Sequence, residues 1–328
     1  MSDRPAVAIV GAGRMGRGLA HVFAYAGHRV AVIDLKARPK DERRRLADDA
    51  RAEVRRSLEA LADHGALPMA RVEPLLSRVT IAGAAEAGEA LAAAGFVFEA
   101  VPERLDAKRA ALGVIGRAAA ADAVVASATS TMRVDELAAL IERPERFVNA
   151  HWLNPAYLVP LVEVSPGRAT SPDTLARLLA LLEAVGKVAV VCAASPGFIV
   201  PRLQALAMNE AARLVEEGVA SPEDIDTATR FGLGFRFAAM GVVEFIDWGG
   251  GDILYYADEY LRQSLGAERF AAPDIVRRNM EAGAVGVRAG RGFHDWQGRD
   301  LDAYQRETIA RFVALLRHYG LLKPPAED

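Results

Sequence analysis

The sequence predicts an α/β protein in which a doubly wound, mostly parallel sheet with an inserted helical hairpin is followed by an all-α C-terminal domain. Three observations carry that expectation. Short apolar runs of strand type alternate with helix-period segments through the first half, a glycine-rich turn joins the first of these runs to the first helical pattern, and the second half reads as one helical segment after another. The 328 residues suit one large or two ordinary domains, and a hydrophobic content of 52% supplies ample core material. The expected division is residues 1–193 for the sheet domain and 194–328 for the helical one.

Val7-Ala-Ile-Val10 is a strand-like run that leads directly into Gly11-Ala-Gly13-Arg-Met15-Gly16 and then a helical pattern through Leu19, Val22 and Phe23. Gly11 can take a tight turn, Gly13 lets the backbone approach a pyrophosphate, and Gly16 permits close packing of helix on strand. The phosphates then meet the free N–H groups of the helix N-terminus. A second strand, Arg29 to Ile33, ends in Asp34, 18 residues after Gly16, where an acid can hold a ribose 2′-hydroxyl. Strand, glycine turn, helix, strand and acid in this order make a Rossmann-type dinucleotide unit. A carboxylate at Asp34 repels a 2′-phosphate, so the expected cofactor is NAD, with Lys36 and Arg38 close enough to soften the discrimination.

From Lys40 to about Leu76 the chain is charged and helical in period, with Leu46, Val54, Leu58 and Leu61 on one stripe and a break at His64-Gly-Ala-Leu-Pro68. This is the inserted hairpin; a solvated excursion and a substrate-binding role are both open. Strands recur at Val79 to Ile81, Phe96 to Ala100, Val124 to Ala126 and Phe147 to Asn149. Ligands of such a sheet gather at the carboxyl ends of its strands, so Glu99 to Glu103, Ser127 to Ser130 and His151 are expected just beyond them. Helices are expected from Phe198 to Glu217, from Ser221 (a cap followed by Pro222 and two acids), from Tyr255 to Leu265 and from Tyr304 to Tyr319.

Composition excludes several classes. A single cysteine, Cys192, permits no intramolecular disulfide and suits a reducing compartment. The six histidines show no metal-ligand spacing, and a net charge of −3 gives no electrostatic reason to expect nucleic acid. The longest apolar candidate, Val188 to Val200, is cut by Ser195-Pro-Gly197, and Met-Ser-Asp-Arg-Pro at the N-terminus lacks the features of a secretion signal. The expected protein is cytoplasmic, binds no metal, nucleic acid or membrane, and acts on a small molecule.

His151-Trp-Leu-Asn154-Pro155, followed by Glu163, can supply an oriented base. If two short strand ends carry His151 and Glu163 into one cleft, the carboxylate accepts a proton from one imidazole nitrogen while the other faces a substrate hydroxyl. A half-buried histidine satisfied by a carbonyl is the alternative.

At this point the chain resembles the L-3-hydroxyacyl-CoA dehydrogenase family, together with relatives acting on free hydroxy acids such as lambda-crystallin/L-gulonate 3-dehydrogenase. The matching pieces are Gly11 to Gly16, Glu99-Ala-Val-Pro-Glu103 with Lys108, Ser127 to Thr131, His151 to Pro155 with Glu163, Ser195-Pro-Gly-Phe-Ile-Val-Pro-Arg202, Ser221 to Asp226 and Gly290-Arg-Gly-Phe293. The resemblance implies hydride transfer to NAD, with His151 taking the hydroxyl proton and Glu163 orienting it. It also implies that Ser130 and Asn154 contact the reacting oxygen or hold the catalytic pair. Gly11, Gly13, Met15, Gly16, Asp34, Glu103, Lys108 and Ser130 are the implied cofactor contacts, and the helical domain is implied to build a homodimer. On the residues alone, Ser130 could equally cap the helical stretch at Val134, and Glu103 could be an acid favoured by a helix N-terminus.

The chain departs from the family at Pro201 and Ala128, where asparagines are usual, and at Gly232 to Gly241, where Arg236 could clamp a substrate carboxylate, form an internal ion pair or make a dimer contact. The segment Leu58 to Pro68 is poorer in lysine than its CoA-binding counterpart. A short 3-hydroxyacyl-CoA such as 3-hydroxybutyryl-CoA is the expected substrate. A free 3-hydroxy acid of the L-gulonate or carnitine type, with Arg236 on its carboxylate, is the alternative, and a non-enzymatic crystallin-like protein a third.

Overall fold

The computed structural model describes residues 4–325; Met1 to Asp3, which open the stretch read above for a secretion signal, and residues 326–328 lie outside the described residues. Strand β1 (Val7–Val10) runs through the glycine turn into helix α1 (Arg14–Tyr25) and β2 (Val30–Ile33). The inserted hairpin follows as α2 (Lys40–Asp63) and α3 (Val72–Leu76), separated at the expected break. Then come β3 (Val79–Ala82), α4 (Ala87–Ala92), β4 (Phe96–Glu99), α5 (Leu105–Ala118), β5 (Val124–Ser127), α6 (Val134–Ala138) and β6 (Phe147–Trp152). β7 (Leu161–Pro166), α7 (Pro172–Ala184) and β8 (Val188–Val191) complete one eight-stranded sheet of order β3-β2-β1-β4-β5-β6-β7-β8.

All neighbours in this sheet are parallel except β6 and β7. The chain winds one way through β1, β2 and β3 and then returns past β1 to β4, which puts the topological switch point between β1 and β4. Helices cover both faces, so β1 is buried along its whole length and reads as an unbroken apolar run. On one face Ile9, Leu19, Phe23, Phe98 and Trp152 join one core cluster; on the other Ala8, Val10, Leu112, Ile115 and Phe147 join a second. Burying each of the larger side chains stabilises the fold by roughly 1.5–3 kcal/mol.

Two differences from the sequence reading bear on the site. β6 runs to Trp152 instead of stopping at Asn149, so His151 sits inside the strand and not beyond it. The extension comes from antiparallel pairing with β7, where Ala150, His151 and Trp152 face Val164, Glu163 and Val162. β8, an exposed edge weighed only as a membrane run, is a strand because β7 offers it a free parallel partner.

The remaining chain is helical: α8 (Val200–Glu216), α9 (Pro222–Ala228), a π-helical turn at Thr229–Gly234, α10 (Phe235–Ala239), α11 (Val242–Gly249), α12 (Gly251–Leu265), α13 (Asp274–Glu281) and α14 (Leu301–His318). Ser221 caps α9 as expected, its hydroxyl accepting the Asp224 N–H at 3.1 Å. In the same region the buried Asp247 carboxylate of α11 accepts the N–H groups of Phe293 and His294 and the Trp296 indole N–H, which fixes the Gly290 to Phe293 stretch. The chain forms two compact units, Met1–Ala207 and Met208–Asp328. The boundary expected at 193/194 falls in the loop before α8. Glu163 of β7 accepts N–H bonds from Ile199 and Val200 and so ties the start of α8 to the sheet.

Candidate active site

A trench of about 900 Å³ runs along the carboxyl ends of the strands around the switch point. Gly11, Gly13, Met15, Asp34, Glu103, Ser130 and Asn154 all line it. Its floor is the β1–α1 turn. Gly11 has a φ of +121° and a side chain there would strike the Ala100 carbonyl, while a Cβ on Gly16 would fall 1.8 Å from the Gly11 carbonyl oxygen. Only glycine lets α1 start this close to β1. Gly13 caps α1 without a side-chain bond, and no acid occupies the first turn, so the first N–H groups stay available to an anion. At the other end Asp34 is nearly buried and accepts from the Arg38 guanidinium at 2.5 Å.

Glu99, the last residue of β4, is a fully buried carboxylate with a complete set of partners. It accepts from the Val101 N–H at 2.8 Å, from the Ser127 hydroxyl at 2.5 Å, and from Lys108 Nζ at 3.0 and 3.1 Å. The same ammonium reaches Glu103 at 3.2 Å. Lys108 therefore does not line the trench; it lies buried between two carboxylates. Glu103 Oε1 accepts the N–H groups of Ser130 and Thr131, at 3.1 and 3.0 Å, and the hydroxyls of Thr129 and Thr131. Burial pushes the Glu103 carboxyl up, but the Thr129 hydroxyl, the Lys108 charge and the two Thr131 donors outweigh it and hold the pKa down at about 2. The ionised Glu103 thus straps the loop carrying Ser130 to the loop after β4.

His151 and Glu163 face one another across the β6–β7 pair, with Nδ1 and Oε2 2.7 Å apart and Glu163 fully buried. The other oxygen of Glu163 accepts the Ile199 and Val200 N–H groups at 2.9 and 2.8 Å. With Nδ1 given to the carboxylate, Nε2 is the nitrogen left with a lone pair. The parallel register of β5 and β6 pairs Ser127 with Asn149, which sets Ser130 and His151 at the same end of adjacent strands. Gly16, Lys108, His151 and Glu163 are not trench-lining residues, and Arg236 belongs to the second unit, where its guanidinium lies 4.3 Å over the Phe245 ring.

A second cleft of about 420 Å³ shares Arg14, Arg17 and Asn154 with the trench and adds Arg56, Ser57 and Tyr157. Arg17 is paired with Glu53 at 2.6 Å. Sequence reasoning looked for cations only from Leu58 to Pro68 and missed Arg14, Arg17 and Arg56, which α1 and α2 bring together. Ala128 donates its N–H to the Glu99 carbonyl, and Pro201 occupies the first turn of α8, where no helical N–H is needed.

Residues 6–195 match the family model described as 3-hydroxyacyl-CoA dehydrogenase, NAD binding domain, and residues 197–296 match 3-hydroxyacyl-CoA dehydrogenase, C-terminal domain. The chain belongs to the 3-hydroxyacyl-CoA dehydrogenase family. It is 33% identical over 316 residues to 5-formyl-3-hydroxy-2-methylpyridine 4-carboxylate 5-dehydrogenase of Mesorhizobium japonicum, covering 95% of this chain and 97% of that enzyme. It is 32% identical over 291 residues to a probable 3-hydroxybutyryl-CoA dehydrogenase of Bacillus subtilis, covering 89% of this chain and 97% of that one. The crystal structure of a 3-hydroxyacyl-CoA dehydrogenase from Archaeoglobus fulgidus superposes with a TM-score of 0.74 at 31% identity, over 97% of this chain and all of that one. As a 3-hydroxyacyl-CoA dehydrogenase family member the protein is an NAD-dependent oxidoreductase with a Rossmann-type cofactor domain. The free N-terminus of α1 and the carboxylate of Asp34 fit the pyrophosphate and ribose of that cofactor.

Proposed function

We propose that the protein oxidises the 3-hydroxyl of a short 3-hydroxyacyl-CoA, such as 3-hydroxybutyryl-CoA, to the 3-keto compound. The observation that carries this reading is the His151–Glu163 pair, opposed at 2.7 Å across a strand pair beside the cofactor trench. His151 Nε2 takes the hydroxyl proton, and Glu163 holds the imidazole and stabilises the imidazolium that results. Asn154 and Ser130 receive the substrate oxygen and stabilise the charge that develops on it. Bound NAD supplies the acceptor for the carbinol hydride. Glu103 borders the nicotinamide end, with Lys108 acting through it. The arginines of the second cleft support a CoA thioester, since guanidinium groups suit its phosphates.

A free 3-hydroxy acid is the second reading. Arg236 lies over Phe245 with no carboxylate in ion-pair range among the described residues, which suits a substrate carboxylate, and the Mesorhizobium relative is by its name a dehydrogenase of a pyridine carboxylate. We also infer a cytoplasmic homodimer without nucleic acid or membrane partners, its cofactor domain at 1–193 and its dimerising domain at 194–328. Among the described residues no helix is long and apolar enough to cross a membrane, and no cluster of His, Cys, Asp or Glu is arranged to hold a metal.

Absorbance at 340 nm, followed with NAD and a panel of 3-hydroxyacyl-CoAs and free 3-hydroxy acids, decides between the two substrates. Inactivity on every thioester overturns the first. His151→Gln is expected to lower kcat by roughly 10²–10⁴ while NADH binds as before. Turnover at the original rate would remove His151 from the mechanism.

A further inference from the structure

The segment Ser195 to Val200 joins β8 to α8, and its role goes beyond connecting them. Gly197 has a φ of +73° and Phe198 one of +44°, so two consecutive residues occupy the left-handed region, the second of them a bulky aromatic. A phenylalanine rarely adopts that backbone unless its surroundings dictate it, and such positions cluster at functional sites. The turn is closed by the Phe198 N–H on the Ser195 carbonyl at 3.2 Å. What it achieves is specific. The Phe198 side chain, only 5% exposed, lies parallel to the His151 imidazole, with ring centroids 5.1 Å apart and an interplanar angle of 1°. The next two N–H groups, of Ile199 and Val200, go to the Glu163 carboxylate. One short turn therefore holds both members of the pair, by a ring on the histidine and by two donors on the glutamate.

The Glu163 bond fixes one edge of the imidazole and leaves its tilt about that bond free. A parallel ring removes this freedom. It also treats the two protonation states differently, because the negative face of a phenyl ring attracts a cation within about 6 Å and has little to offer a neutral imidazole. We propose that Phe198 is a positioning residue for His151, fixing the plane of the imidazole and favouring its protonated form as the substrate proton arrives. This rests on the reading of His151 as the base. The ionisable groups on or flanking β7, β8 and α8 are Glu163 on β7, Lys187 and Cys192 beside β8, and Arg202, Glu210, Arg213 and Glu216 on α8; β5 carries none.

The test is the pH profile of kcat/KM for alcohol oxidation in two variants, with NADH affinity as the control for folding. Phe198→Leu removes the ring, and replacing the phenyl by pentafluorophenyl keeps its shape while reversing its quadrupole. Both are expected to move the acid limb of the profile to lower pH, by about 0.5. Phe198→Leu is expected in addition to lower kcat roughly tenfold through lost alignment, with NADH binding unchanged. A wild-type profile in the pentafluorophenyl variant overturns the proposal, and that variant alone decides if the leucine variant no longer binds NADH. His151→Gln, run in parallel, separates the two levels. If it is inactive while the phenyl replacements behave as wild type, only the role of Phe198 fails; if it remains active, the base itself is wrongly assigned.

Discussion

Asp34, the acid proposed to hold the cofactor ribose, has one carboxylate oxygen already bonded to the Arg38 guanidinium. In the proposed site the acid would do two things: accept from the 2′-hydroxyl and keep an adjacent cation from serving a 2′-phosphate. Asp34→Gly is expected to release Arg38 and, with Lys36 beside it, to raise kcat/KM for NADP at least roughly tenfold while lowering it for NAD, each measured at saturating substrate. An unchanged ratio between the two cofactors would show that Arg38 cannot turn toward the ribose. The acid is legible in the sequence because strand length and glycine spacing fix its position. Its bond to Arg38 is not, since nothing in the spacing says which way the loop between β2 and α2 folds. The same contrast separates His151 and Glu163 from Phe198. The pair is legible by residue type and by a separation of twelve positions through strand and turn, whereas Phe198 reads as the first residue of an apolar helix and is displaced into the turn by the Pro196-Gly197 step before it.

At the level of elements, the helix that opens the cofactor site is pinned to the inserted hairpin by polar contacts within an apolar interface. On α1, Arg17 pairs with Glu53 of α2, and His21 places Nδ1 2.6 Å from the Ser57 hydroxyl while its ring stacks on Tyr157. Burial lowers the His21 pKa to about 4, helped by the charge of Lys187. The neutral form is therefore the one that fits, and the sign follows. Above about 6.5 His21 is neutral in both the folded and unfolded chain and the interface is intact; as pH falls toward 4 the unfolded chain takes up a proton that the folded one refuses, and stability drops. The loss across that window is on the order of 3 kcal/mol. Replacing His21 by Gln removes the titration, so the fall in melting temperature between pH 6.5 and 4 is expected to be shallower in the variant than in the wild type; parallel curves would mean that His21 is protonated in the native state. Hydrophobic period reveals α2 and its stripe from sequence. It cannot reveal that a histidine on α1 is the residue facing it.

For the whole molecule, alternation of strand and helix patterns is enough to foresee the doubly wound sheet, because parallel strands need crossovers and each crossover leaves a helical pattern. The helical unit is less legible, since its short helices α10, α11 and α13 fall below the length at which a period can be read. Its surface carries the remaining argument. Neither α8 nor α12 contributes a single buried side chain. Yet Leu203 and Leu206 in the first turns of α8 follow Ile199, just before it, at helical spacing, as do Ile253, Tyr256 and Tyr260 along α12, and all six are well exposed. Scattered apolar residues on a surface mean little, but a stripe at helical spacing along a helix matches what a second copy would cover, and a twofold axis is the simplest way for one chain to cover such a surface on itself. The proposed homodimer therefore predicts twice the monomer mass in sedimentation at about 10 µM, a concentration far above the dissociation constants of obligate dimers. Leu206→Glu combined with Tyr256→Glu places a charge on each stripe at little cost to the folded monomer, because neither side chain is buried in it. That variant is expected to sediment at the monomer mass. A wild type that is already monomeric, or a double variant that stays dimeric, would assign these stripes to some other partner or to none.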